Sequence, residues 1–132
     1  MSNQKLEDIL KHGIYGSPEI RPEERKLFLS TLAERVYLCL TNSQVRHRGM
    51  YPEMEKAMKE TKDAHLYING ALNYTSYNNY IQAANKHSLL FTIVNDGQDT
   101  PLGIVLSADT AINMESEMFI KDDLYEDDMG DN

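Results

Sequence analysis

The sequence predicts an α/β domain (α+β in some schemes), and three observations carry that reading. Between Arg35 and Leu106, short apolar strands alternate with amphipathic helices, the pattern of a sheet whose parallel strands are joined by helical crossovers. The chain has 132 residues and 41% hydrophobic content, enough for one core of ordinary size. Its net charge of −8 is concentrated at one end: from Glu115 onward there are eight acids and a single base, Lys121, while residues 1–114 are close to neutral. The expected organisation is one domain over residues 1–114, with N-terminal helices over 1–33 and the sheet core over 34–114, followed by an acidic, mobile tail over 115–132.

The elements follow in order. Ser2 to His12 reads as a short helix: Ser2 caps it, Leu6, Ile9 and Leu10 share a face, and Gly13 ends it. Pro22, followed by Glu23 and Glu24, opens a second helix running to about Ala33 with Leu27, Phe28 and Leu32 buried. Val36 to Leu40 is a nearly continuous apolar run, as in a strand covered on both faces. Thr41 to Met50 reads as a polar loop. Pro52 then starts a helix with Met50, Met54, Ala57 and Met58 on one arc and a Glu55–Lys59 pair on the other. His65 to Ile68 is the second strand, stopped by Asn69-Gly70.

The next helix starts near Asn73 or Thr75 and ends near His87, with Tyr74, Tyr77, Tyr80, Ile81 and Ala84 inside. Tyr51 and Tyr125 are less constrained and are expected at the surface. Leu89 to Val94 is the third strand, Asn95-Asp96-Gly97 a turn, and Leu102 to Leu106 the fourth strand behind Pro101. Ala108 to Asn113 fits no element. Right-handed crossovers place both crossover helices on one face of the sheet, so the N-terminal helices must cover the other.

Lys5-Leu6-Glu7-Asp8-Ile9-Leu10, His12-Gly13-Ile14-Tyr15-Gly16, Pro18-Glu19 and Arg35-Val36-Tyr37-Leu38-Cys39-Leu40-Thr41 together resemble the YueI-like family. Phe91-Thr92-Ile93-Val94, Gly103-Ile104-Val105-Leu106 and Asp109-Thr110-Ala111-Ile112 fit it too. The resemblance spans nearly the whole chain except the tail and implies a small cytosolic protein of low-GC Gram-positive bacteria with no assigned function. It also implies the mixed-sheet fold shared by kink-turn RNA-binding ribosomal proteins and a small chorismate mutase. That core is β-α-β-α-β-β with a four-stranded mixed sheet in the order 1-4-2-3 and an antiparallel last strand. Local sequence alone also permits a simple hairpin of the third and fourth strands.

Open α/β sheets bind ligands beyond the carboxyl ends of their parallel strands. Those ends supply the candidate ligand-binding residues Asn42, Ser43, Gln44, Asn69, Gly70, Asn73, Asn95 and Asp96, which suit a small anion, RNA or a protein partner. Turn-making and helix capping compete for the same residue types. The densest basic group, Arg46-His47-Arg48, with Lys56 beyond it, is the alternative nucleic-acid surface. The Gly-Asn-Glu helix start of kink-turn binders is absent; Gly49-Met50-Tyr51-Pro52-Glu53 stands there instead.

No catalytic set, metal-ligand spacing, phosphate loop or cofactor motif is recognisable. Cys39 sits among apolar residues as a core thiol and excludes an internal disulfide, which with the non-secretory N-terminus points to the cytoplasm. The expected function is therefore a binding or regulatory module without a catalytic site. An RNA-associated protein and a small enzyme of chorismate-mutase-like architecture are the alternatives, and an open strand edge admits a homodimer.

Overall fold

The computed structural model describes residues 22–95, 99–112 and 118–130. The helix predicted over Ser2–His12 lies outside them. The elements are α1 (Pro22–Leu27), a 3-10 turn (Ala33–Arg35), β1 (Val36–Thr41), α2 (Asn42–Arg46), α3 (Pro52–Glu60), β2 (His65–Asn69), α4 (Tyr74–Lys86), β3 (Leu90–Val94), β4 (Leu102–Ser107) and α5 (Asp123–Met129).

The four strands form one mixed sheet in the order β1-β4-β2-β3. β2 and β3 are parallel, and β4 runs antiparallel to both β2 and β1. The inserted arrangement therefore holds, not the hairpin. Every residue of β4 is buried, which fits a strand paired along both edges and covered on both faces.

Two apolar layers flank the sheet. On one face α3 and α4 contribute Met54, Met58, Tyr77, Tyr80, Ile81 and Ala84 against Leu66, Ile68, Ile104 and Leu106. Both crossover helices thus share a face, as expected. Tyr74 is the exception on the predicted arc: it is 58% exposed in the first turn of α4, where its ring meets Tyr77 edge-on at 5.6 Å between centroids. On the other face lie Leu27, Phe28, Leu29 and Ala33 from the N-terminal segment.

The N-terminal helix is shorter than predicted because three consecutive residues, Leu27, Phe28 and Leu29, are all buried. No single helical face can bury three in a row, so the chain leaves the helix. Leu29 and Ser30 take left-handed conformations (φ 54° and 89°). Glu24, nearly fully buried, accepts the Ala33 N–H at 2.9 Å, and the Thr31 and Ser107 hydroxyls lie 2.7 Å apart.

The largest departure concerns the acidic end. Instead of a solvated tail, Met118–Gly130 packs on the same face as the N-terminal segment and buries Phe119, Tyr125 and Met129. Met118 accepts the Cys39 N–H at 2.7 Å, and Phe119 forms a parallel bridge to Cys39, so this segment covers the outer edge of β1. Asp122 caps α5 by accepting the Tyr125 N–H at 2.9 Å. Asp123, Glu126 and Asp127 face outward while Tyr125 and Met129, four residues apart, make the inner stripe. Tyr125 is accordingly buried, not at the surface.

Candidate functional site

The carboxyl ends of β1, β2 and β3 lead into three connections that meet. The first begins at Thr41, which caps the short helix α2. Its hydroxyl accepts the Gln44 N–H, and the Gln44 side-chain oxygen accepts the Thr41 N–H at 2.9 Å. This reciprocal box holds five residues in a helix inside what reads as a polar loop.

Asn42, on the first turn, donates through Nδ2 to the Thr100 carbonyl at 2.9 Å, and its backbone N–H reaches the Pro101 carbonyl at 2.8 Å. Asn69, at the end of β2, donates through Nδ2 to the Leu102 carbonyl at 3.2 Å and, more weakly, to Asn42 Oδ1 at 3.5 Å. Its Oδ1 accepts the Ala71 N–H at 2.9 Å, an Asx turn. Gly70 N–H bonds the Val94 carbonyl, and a Cβ at Gly70 would lie 2.0 Å from Asn95 Oδ1.

Asn42, Asn69, Gly70 and Asn95 thus form one contiguous rim across three strand ends. Asn73 is exposed at the cap position of α4 and makes no side-chain capping bond. Asp96 lies outside the described residues.

Ser43 and Gln44 turn the other way. The Ser43 N–H and hydroxyl both bond the Asp128 carboxylate, at 2.7 and 2.8 Å. Gln44 is fully buried, and its Nε2 donates to the Ile120 carbonyl at 2.7 Å and to Asp122 Oδ1 at 3.0 Å. The Tyr51 hydroxyl donates to Asp122 Oδ2, while the Tyr51 N–H donates to the Tyr80 hydroxyl at 2.9 Å. Tyr51 is therefore half-buried and tied down, contrary to its expected surface place.

Burial acts to raise the Asp122 pKa, but hydrogen bonds from Tyr51, the Tyr125 N–H and Gln44 outweigh it and hold the carboxyl below its usual range. The Tyr51 hydroxyl is pushed up by burial and by the adjacent Asp122. This polar seam between α2, α3 and α5 is what sequence reasoning missed. The Thr41-x-x-Gln44 capping pattern and the cap Asp122 were its available signals.

Arg46, His47, Arg48 and Lys56 are all exposed, and the His47 ring meets Tyr51 edge-on at 6.2 Å between centroids. A groove of about 260 Å³ separates α3 from α4, lined by Met50, Glu55, Asn79, Gln82, Ala83 and Lys86. In place of the expected helical pair with Lys59, Glu55 bonds His87 at 3.1 Å and Lys86 at 3.4 Å. Those two partners hold its carboxyl below the ordinary value, which suits an ion pair better than a general acid working near neutrality. Among the described residues there is no group of three or more His, Cys, Asp or Glu placed to hold a metal ion. None of the described helices is long and apolar enough to cross a membrane.

A small mixed α/β domain with a polar rim at its strand ends is the class these features define. The chain belongs to the family described as "Protein of unknown function (DUF1694)", which matches residues 3–117. It is 47% identical over 126 residues to "Uncharacterized protein YueI" of Bacillus subtilis (strain 168), covering 95% of each chain. It is also similar to the crystal structure of the YueI protein from Bacillus subtilis, with TM-score 0.82, 45% identity, and coverage of 96% of this chain and 98% of that one. The YueI-like resemblance read from the sequence is thereby shown, with its low-GC Gram-positive background.

Proposed function

We propose that the protein is a cytoplasmic binding or regulatory module whose ligand-facing edge is the rim at the ends of β1, β2 and β3. The supporting observation is the contact of Asn42, Asn69, Gly70 and Asn95 across three connections. Backbone carbonyls occupy the Asn42 and Asn69 amides, so these two build a stiff floor and are not free to bind. Asn73 and Asn95, both exposed, are the groups left to meet a polar ligand or small anion. The test is affinity capture from native bacterial cytosol with the full chain, analysing metabolites, RNA and proteins together. Captured material should be lost with an Asn73→Ala/Asn95→Ala double variant that keeps its fold. Unchanged capture would remove the rim from the argument.

A second reading, RNA association through the stretch after β1, is favoured by the exposure of Arg46, His47, Arg48 and Lys56. Each neutralised phosphate contributes about −0.9 to the slope of log affinity against log salt for a duplex. If both arginines contact phosphates, Arg46→Ala/Arg48→Ala should flatten that slope by about 2, measured by filter binding across a salt series. A slope unmoved by the double variant would end this reading. Acidic α5, packed against α2, works against a polyanion at that place.

A further inference from the structure

The two edges of the sheet are treated differently by the chain. The β1 edge is covered by Met118 and Phe119. The β3 edge has no strand beside it among the described residues, although Leu90 is 72% exposed and Phe91 36% exposed. β3, Leu-Phe-Thr-Ile-Val, carries no charge and no proline, and its register with β2 is unbroken. An open, uncharged, unbulged edge lacks the usual protections against strand pairing.

We propose that this edge pairs with the same edge of a second copy of the chain, antiparallel and centred on Thr92, to close a homodimer with one continuous sheet. The backbone parity supports it. The Val94 carbonyl faces β2, where it accepts the Gly70 N–H, so the alternate residues Phe91 and Ile93 present their N–H and C=O outward. A two-fold axis at Thr92 sets Phe91 opposite Ile93 of the second copy as a hydrogen-bonded pair, exchanging both backbone bonds at each of the two pairings.

Side chains then match on both faces. Phe91 lies beside a β-branched isoleucine, and Leu90 beside Val94 of the other chain, which are favourable cross-strand partners. With the β1 edge already covered, pairing stops at two chains and does not grow into a filament.

The full chain, whose mass is 15.1 kDa, is tested by sedimentation equilibrium at micromolar concentration and should show twice that mass. Thr92→Lys brings two cations together at the axis and should return the mass to one chain. Thr92→Cys, in a chain whose own Cys39 is buried, should form a disulfide-linked pair under mild oxidation, whereas Thr75→Cys on α4 should not. A monomeric parent chain, a dimer indifferent to Thr92→Lys, or a Thr92→Cys variant that links no faster than Thr75→Cys would overturn the proposal. If circular dichroism shows that Thr92→Lys fails to fold, the cysteine comparison decides alone.

Discussion

A Cβ built on Gly70 would lie 2.0 Å from Asn95 Oδ1 and 2.9 Å from the Val94 carbonyl oxygen. The amide can swing away, but the carbonyl belongs to the sheet. Gly70→Ala should therefore destabilise the chain by about 1–3 kcal/mol in urea unfolding, as overpacking commonly does, and shift the Asn95 side-chain amide resonances. Asp122 tests the seam. Its folded pKa lies below the ordinary value of 3.8, so the ionised carboxylate stabilises the fold above that value. This contribution is lost as pH falls through the lowered pKa. Asp122→Asn should cost about 1–2 kcal/mol at neutral pH, through the weakened cap and the weakened bonds to Gln44 and Tyr51. The gap from the parent chain should narrow below the ordinary carboxyl value of 3.8 in a pH series of melts. At this scale the asparagines of the rim were legible, because strand ends demand turn-makers. The engagement of Ser43 and Gln44 was not, because their partners Asp128 and Asp122 lie more than 75 residues away in the chain.

Elements with a long apolar stripe were the easiest to read. α3 and α4 bury Met54 and Met58, and Tyr77, Tyr80, Ile81, Ala83 and Ala84, at helical spacing. α2 has one buried apolar residue, Val45, and α5 has two buried residues among four acids, so neither shows enough periodicity to announce itself. Caps and tertiary contact hold such short helices, since isolated helices of this length are unstable in water. Gln44→Ala removes the capping-box acceptor and both bonds to the C-terminal segment while leaving Thr41 in place. It should cost about 2–3 kcal/mol and speed amide exchange through α2 and α5 together, because buried partners are left unpaired. Faster exchange confined to α2 would show that the two helices are not coupled through this side chain.

At the scale of the whole molecule, two segments far apart in the chain close one face of the sheet. Leu27, Phe28 and Leu29 from one side and Phe119, Tyr125 and Met129 from the other meet over Cys39 and Val105. The sequence made the need for such a cover plain, but it credited the N-terminal helices alone, since eight acids from Glu115 onward masked three well-spaced apolar residues. Cys39 reports on that lid: it is fully buried, and burial pushes its thiol far above the ordinary range, so it should resist thiol reagents in the native chain. Removing residues 118–132 takes away the backbone acceptor for the Cys39 N–H and the aromatic rings above it. Loss of a buried Phe alone costs about 3–5 kcal/mol, so the truncated chain should melt earlier and its cysteine should react with a chromogenic disulfide without denaturant. It should also self-associate beyond two chains, because both sheet edges would then be open. A truncated chain with an unreactive Cys39 and unchanged mass would mean that the N-terminal segment closes this face unaided.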